Sequence, residues 1–524
     1  MPYASSARPS LVPWAWLAAL GLSALLFASE VDRGFDLADE GFLWHGVERT
    51  ARGEVPERDF QAAYEPGRYY WAALFQHALG PGLFSLRAAT ASFGAIGLAL
   101  GLCAAARGLA GRASLLALAL VLALWMGPRH KLFEPAVALA AALAFTRLLE
   151  RPDSGRHAQA GAAVGLALCI GRNHALYCAA ALAACLAWLW LRAGIRPRAR
   201  ALAACAAGGA AGALPLALLC AAAPGYAQAF ASNVVFYAVH GANQPLPVPW
   251  PWRSSGAAVG PGISLGFALE ALLPLALCVS LWRRRDVTPA RAAALASASV
   301  ALAYSHHAFA RADAAHLAQA LPPLLVAAAS WPRATGRRAL EPALLGALVG
   351  LCLLALPELR PSLAERLAPR PEPLAALDVR GQRLWLPRAQ ARELEALERA
   401  LASQLPADAR LFAAPALPGI HPWLERVAAS RRSYFLWPAT AAEEERLLDE
   451  LARPGPLFAL LQQGAPFGSD ALRFERTHPR VYRELVQSFA RVAHAEMPEG
   501  YLLLARAAPG AADLDAEAAL APSF

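Results

Sequence analysis

Lysine is almost missing from this chain: of 48 basic side chains only Lys131 is a lysine, and the rest are arginine. That bias fits a GC-rich bacterial genome. The arginines sit at the ends of apolar runs rather than in one patch, which argues against a nucleic-acid surface. Charge of either sign is scarce, at 17% of residues against roughly 25% in soluble domains. The 8 cysteines (Cys103, Cys169, Cys178, Cys185, Cys205, Cys220, Cys278 and Cys352) all lie inside apolar segments. They read as small buried hydrophobes, not as a disulfide framework or a zinc site. There is no glycine-rich phosphate loop of the P-loop or dinucleotide type and no Gly-x-Ser-x-Gly elbow. Nucleotide-driven and serine-hydrolase chemistry are therefore not indicated. No internal repeat is visible.

What the chain has in abundance is apolar sequence, 57% of its residues. Runs near the roughly 17–25 residues that span a bilayer recur through the first two thirds. They cover 11–29, 88–106, 113–127, 134–149, 159–173, 174–191, 200–223, 262–282, 292–309, 317–331 and 339–357. The fold class that follows is a polytopic α-helical membrane protein of about eleven transmembrane helices over residues 1–357, followed by a soluble α/β domain over 358–524. The first run, Leu11–Ser29, has no convincing small-residue cleavage site after it and reads as a retained helix. Arginine in short loops sets the orientation. The clusters Arg192/Arg196/Arg198/Arg200, Arg283/Arg284/Arg285 and Arg333/Arg337/Arg338 fall on one side, which is then cytoplasmic together with the N-terminus. The loops 30–87 and 224–261 and the C-terminal domain then face the periplasm of a bacterial inner membrane. Beyond a proline-rich tether, Pro357–Pro373, the pattern predicts strands at Leu411–Ala414, Leu457–Leu461 and Tyr501–Ala505. Helices are predicted at Ala389–Gln404, Ala441–Ala452 and His478–Ala490.

The chemistry-bearing residues cluster in the outward loops. Asp39 and Glu40 follow the first run. Asp39 could cap a helix running to Arg52 with Gly53 as its stop, or serve as a general base that takes a proton from an attacking hydroxyl. Both can hold at once. In Tyr64–Trp71, the rings of Tyr69, Tyr70 and Trp71 suit an interfacial helix. Arg68 there could grip a phosphate bidentately or simply snorkel. Arg129, His130 and Lys131, beside Glu134, form a tight turn able to neutralise an expelled phosphate, or a merely solvated turn. Arg172 and His174 interrupt an apolar stretch, where ionisable groups point to function or mark a helix end. Arg311, Asp313 and His316 follow a His306-His307 pair. An Arg311–Asp313 ion pair is the plainer account, and a metal site is conceivable on spacing that supports it weakly. No cofactor is identified beyond that open question of a divalent metal.

Asp39-Glu40 opening the first outer loop, Tyr64–Trp71 leading to Gly80 and Leu86-Arg87, and Glu134 near the start of the fourth helix together resemble the GT-C membrane glycosyltransferases. The likeness is to the family 39 group, which includes protein O-mannosyltransferases and the aminoarabinose transferase of lipid A. Two positions depart from the pattern. Glu65-Pro66-Gly67 stands where family members often carry Lys or His before Pro-Pro, and Glu134 replaces a more usual aspartate. The resemblance implies transfer of a sugar from a polyprenyl-phosphate-linked donor to a hydroxyl of a lipid, glycan or protein acceptor, with inversion, among membrane lipids and without nucleic acid. It makes Asp39 the base, with Glu40 orienting it or sharing a metal. Arg68, Arg129, His130 and Lys131 hold the donor phosphate, and Glu134 positions acceptor or sugar. Tyr69, Arg172, His174, Arg311, Asp313 and His316 complete the expected substrate-binding set. The alternatives are a non-enzymatic transporter, a glycan-binding scaffold, or a degenerate transferase kept as an assembly partner.

Overall fold

The computed structural model describes residues 10–240, 245–253, 259–368 and 372–506. Parts of the second outer loop (241–244, 254–258), of the proline-rich stretch (369–371) and of the C-terminal region (507–524) lie outside these. Every apolar run folds as a helix or a broken helix. The elements are α1 (Val12–Glu30), α2 (Asp39–Ala51), α3 (Pro66–Leu79), α4 (Leu83–Ala105), α5 (Arg112–Trp125), α6 (Phe133–Glu150), α7 (Ser154–Ile170) and α8 (Arg172–Leu191). Then come α9 (Ala199–Gly212), α10 (Leu214–Ala222), α11 (Tyr226–His240), α12 (Pro261–Trp282), α13 (Pro289–Ala310), α14 (Ala314–Ala320), α15 (Pro322–Ala334), α16 (Glu341–Leu359) and α17 (Pro361–Leu367). α2 and α3 lie in the loop 30–87, and α11 lies in the loop 224–261.

Two predicted spans are broken, each at a proline that removes a helical N–H and crowds the preceding turn. The run 200–223 bends by 50° between α9 and α10, just before Pro215. The run 317–331 splits into α14 and α15 at Leu321, before Pro322 and Pro323. Among the described residues five helices are long and apolar enough to cross a membrane, and the α9–α10 pair makes a sixth. The count of eleven is therefore not reached by length and composition, because helices such as α6 and α13 carry polar side chains inward.

Helices in lipid gain little from hydrophobic association, so small residues let them approach closely. The α7–α9 contact shows the limit. A Cβ on Gly161 would sit 1.9 Å from the Cys205 carbonyl oxygen, and one on Gly208 would sit 2.0 Å from that of Ala158. No residue but glycine fits either position. The alanine-rich α13 runs through the centre of the bundle, with Ala292, Ala294, Ala296, Ala298 and Ala301 wholly or almost wholly buried.

The C-terminal region begins with the hairpin β1 (Leu374–Val379) and β2 (Gln382–Pro387). Its two-residue turn, Arg380-Gly381, has positive φ at both positions, the geometry that suits the strand twist. α18 (Arg388–Gln404), β3 (Arg410–Ala414), α19 (Ile420–Trp423), β4 (Val427–Ala428), α20 (Ala441–Ala452), β5 (Leu457–Gln462), α21 (Phe474–Thr477), α22 (Pro479–Ser488), β6 (Phe489–Arg491) and β7 (Tyr501–Arg506) follow. A five-stranded sheet has the order β4-β3-β5-β7-β6. β3 is parallel to β4 and β5, while β7 is antiparallel to β5 and β6. The predicted strands stand within a residue or two. The predicted helix His478–Ala490 stops at Ser488, because its last residues pair with β7 as an edge strand.

The proline-rich stretch is not a loose tether where it is described: α16 runs on to Leu359 and α17 follows at once. The C-terminal region docks on the outer loop through backbone bonds. The Trp385 N–H donates to Asp32 (2.7 Å), Gly34 to Trp385 (3.0 Å), Gly419 to Leu37 (2.9 Å) and Gln61 to Arg431 (3.0 Å). The Gln382 amide oxygen accepts from the Leu83 and Phe84 N–H groups, capping α4. One hydrophobic core runs from the helices into this region, through Leu377, Leu384, Leu394, Leu411 and Trp423. A second core, around Phe412, Phe435 and Phe474, lies wholly within it.

Candidate active site

The geometry starts at the first turn of α2. Asp36, not Asp39, does the capping: its carboxylate accepts from the Ala38 (2.9 Å), Asp39 (3.2 Å) and Glu40 (3.2 Å) N–H groups. This corrects the capping role read for Asp39. The predicted stop at Gly53 does hold, with φ +94°. Asp39 is thereby left free, with its side chain 39% exposed. The Tyr434 hydroxyl, from the C-terminal region, donates to Asp39 Oδ1 at 2.8 Å. Lys131 Nζ lies 3.8 Å and His130 Nε2 4.0 Å from Oδ2. Burial by itself raises this carboxyl, but Lys131, His130, the Tyr434 hydroxyl and Arg311 outweigh it and hold it below the ordinary carboxylate range.

Glu40, one residue on, faces the other way. It is 1% exposed and accepts from Arg87 (3.0 and 2.7 Å) and Arg129 (2.7 and 3.1 Å). These two guanidinium groups overcome the effect of burial, and its acidity is strongly increased. The short 3₁₀ turn Arg129–Lys131 divides the same way. Arg129 points at Glu40 and at the carbonyls of Glu30, Arg33 and Gly34. His130 and Lys131 point at Asp39. All three nitrogens of the Arg129 guanidinium are engaged in the Glu40 cluster and do not turn toward Asp39.

Lys131 also donates to the Tyr64 hydroxyl. The Arg68 guanidinium lies over the Tyr64 ring, 4.4 Å from its centroid, while Lys131 sits at the hydroxyl end of the ring. Arg68 does not snorkel. It is 2% exposed and donates to Glu134 Oε1 (2.5 Å) and to the Ile170 carbonyl (2.8 Å). Tyr69 is fully buried against Phe60 and Tyr64. Arg172 pairs with Glu65 at 2.9 Å and lies over the Tyr237 ring of α11 at 5.1 Å.

The distant histidines form a contiguous set. His174 stacks on Tyr304 (5.6 Å) and approaches His307 (5.4 Å), and His307 lies 5.1 Å from His316. Asp313 caps α14 by accepting from the His316 N–H (2.8 Å), contacts His316 Nδ1 (2.8 Å) and pairs with Arg311 (2.8 Å). The plainer account of Arg311 and Asp313 thus describes what is seen. Among the described residues no three His, Cys, Asp or Glu side chains are grouped as a metal would require, so the metal set conceivable from these histidines does not form. Several buried polar atoms in and around this set find no hydrogen-bond partner among the described residues: Glu134 Oε2, His174 Nδ1, His307 Nδ1 and the Tyr69 hydroxyl. Unsatisfied buried groups are costly and usually find a ligand or water.

Three partners escaped the sequence reading. Arg87 stood in a quoted motif, Glu65 in a dense run of acids, and Tyr434 in an aromatic stretch with no local chemical signal.

No protein-family model matches the chain, and no curated protein sequence matches it. Solved structures do. ArnT from Cupriavidus metallidurans bound to undecaprenyl phosphate is 15% identical, with a TM-score of 0.52 over 95% of this chain and 98% of that one. The apo form of the same protein gives 13% identity and a TM-score of 0.53 over the same shares. Near-complete coverage of both chains includes the C-terminal region as well as the helices. This chain shares the overall fold of ArnT.

Proposed function

We propose that the protein is a membrane glycosyltransferase that moves a sugar from a polyprenyl-phosphate-linked donor to an acceptor hydroxyl at the periplasmic face of the inner membrane. The observation that carries this is Asp39, freed from helix capping by Asp36 and kept ionised by Lys131, His130 and Tyr434. An ionised carboxylate beside a lysine is what a sugar-transfer step needs. The acceptor O–H proton passes to Asp39 as the acceptor oxygen bonds to the anomeric carbon. The bond from that carbon to the phosphate oxygen breaks on the opposite face, with inversion. The departing polyprenyl phosphate carries the electron pair, and its charge is met by Lys131 and Arg311, with the His130 ring beside them, its pKa lowered by burial, as a hydrogen-bonding group. Arg68 and Glu134 form a neutral buried pair that fixes Tyr64 and therefore Lys131. Arg129 and Glu40 serve as the scaffold behind the base. The lipid-phosphate donor is supported by the fold shared with ArnT, whose structure holds undecaprenyl phosphate, and by the scarcity of nucleotide sugars outside the cytoplasm.

The test is mass spectrometry of envelope glycans, glycolipids and glycoproteins from a deletion strain complemented with wild type or Asp39→Asn. Wild type restores a missing sugar and Asp39→Asn, at equal abundance in the membrane, does not. Restoration by Asp39→Asn would remove Asp39 as the base.

A further inference from the structure

A groove of about 450 Å³ opens between the outer loop, α11 and the C-terminal region, within the roughly 300–1,000 Å³ of small-molecule sites. Its walls come from segments remote in sequence, with Glu57, Gln228, Asn233, Phe236, Arg432 and Arg446 among the lining. Glu57 is held at φ +69°, a conformation rarely adopted by a residue with a side chain. It is 5% exposed, with one carboxylate oxygen accepting from the Asn233 amide (3.1 Å) and the Tyr226 hydroxyl against the carboxylate. Arg432 lies over the Phe236 ring at 5.3 Å and donates to Glu443 at 3.3 Å. Arg446 is exposed, and among the described residues it makes no hydrogen bond or ion pair.

Carboxylate, amide and guanidinium groups each present two parallel donors or acceptors, which match pairs of neighbouring hydroxyls. An aromatic face beside them takes the apolar face of a pyranose ring. From Phe236 an aromatic row continues inward. Trp437 is 6.4 Å from Phe236 and Tyr434 is 6.2 Å from Trp437, both buried in the core behind the groove, and the Tyr434 hydroxyl ends the row on Asp39. The Trp437 indole N–H and the Tyr237 hydroxyl beside this row are buried and find no hydrogen-bond partner among the described residues.

We infer that this groove binds the carbohydrate portion of the acceptor, with the buried Trp437 and Tyr434 behind Phe236 linking its inner wall to Asp39. The inference rests on the glycosyltransferase reading above and names the acceptor class as a glycan, whether free or attached to lipid.

The test uses the full chain in nanodiscs and saturation-transfer NMR with maltotriose, chitotriose and a hexuronate-containing trisaccharide, each free and lipid-linked. At least one trisaccharide binds wild type and Asp39→Asn alike. Phe236→Leu, which keeps bulk but loses the ring, and the double variant Gln228→Ala/Arg446→Ala, confined to exposed side chains, each weaken that binding by about tenfold. Equal binding of free and lipid-linked forms assigns recognition to the sugar. Absence of binding by all three, or binding only of lipid-linked forms with no sensitivity to Phe236 or Arg446, overturns the inference. Absent glycan binding with transfer still dependent on Asp39 defeats the groove alone. Intact binding with transfer surviving Asp39→Asn defeats the catalytic reading alone.

Discussion

Asp39 and Glu40 are chemically near-identical neighbours placed in opposite surroundings. Glu40 is neutralised by two arginines in a dry pocket, where removing one partner of such a cluster costs about 3–5 kcal/mol because the other charge stays buried. Asp39 keeps an exposed oxygen and looser contacts, so its charge remains usable. Tyr434 is the side chain that tunes it. A carboxyl with a depressed pKa in the folded protein lends stability above its unfolded pKa, and that contribution is lost as pH falls through the folded value. Tyr434→Phe removes one lowering influence, so the pKa of Asp39 rises toward the ordinary range. The acid limb of the kcat/KM profile then moves to higher pH, with little change in abundance. A pH–rate profile of the variant superimposing on wild type would exclude Tyr434 as a positioning group. Arg68 teaches the converse lesson. As a bare sequence feature it suits a phosphate; buried against Glu134, it instead holds the tyrosine that holds Lys131.

At the scale of elements, close packing sets tolerances more than hydrophobicity does. The α7–α9 interface is built from Gly161, Gly165, Gly208 and Gly212, whose backbones touch neighbouring carbonyls. Gly161→Leu cannot be absorbed by a rotamer change, since the obstacle is the Cys205 carbonyl rather than a flexible side chain. We expect the two helices to separate and the protein to lose its monodisperse peak in detergent size-exclusion chromatography, with a loss of several kcal/mol, beyond the about 1–3 kcal/mol usual for overpacking. Gly346→Ala, inside α16 with open space around it, serves as the mild control. The helices themselves were legible from composition, because apolar runs of this length have no other stable form in lipid. Their breaks at Pro215 and Pro322 were legible in principle from the same local rule.

Across the whole molecule, the outer loop and the C-terminal region form one unit around Asp39. Gly41 and Gly419 make this contact: a Cβ on Gly419 would meet the Gly41 Cα at 2.9 Å and the Leu37 carbonyl at 3.0 Å. Gly419→Val therefore pushes the C-terminal region away from α2 and carries Tyr434 off Asp39. Displacement of a catalytic partner by about 1 Å can cost on the order of a hundredfold in rate. The expected result is a fall in kcat of that order, with the helical part still protected from limited proteolysis. Unchanged kcat would mean that the C-terminal region is dispensable for the chemical step.

The amino-acid sequence alone determined the helical membrane part, the order of its helices, the main strands and helices of the C-terminal region, and the residue types suited to sugar transfer. Each follows from spacing within a few turns, where local periodicity and backbone hydrogen bonding dominate. Only the tertiary structure decided which charges meet. Arg68 finds Glu134 and Arg87 finds Glu40 across 66 and 47 positions, and Tyr434 reaches Asp39 across 395. Nothing local encodes those distances, since pairing at that range is set by how whole helices and sheets pack. That packing is also what separates Glu40 from Asp39 in role, although they are adjacent in the chain.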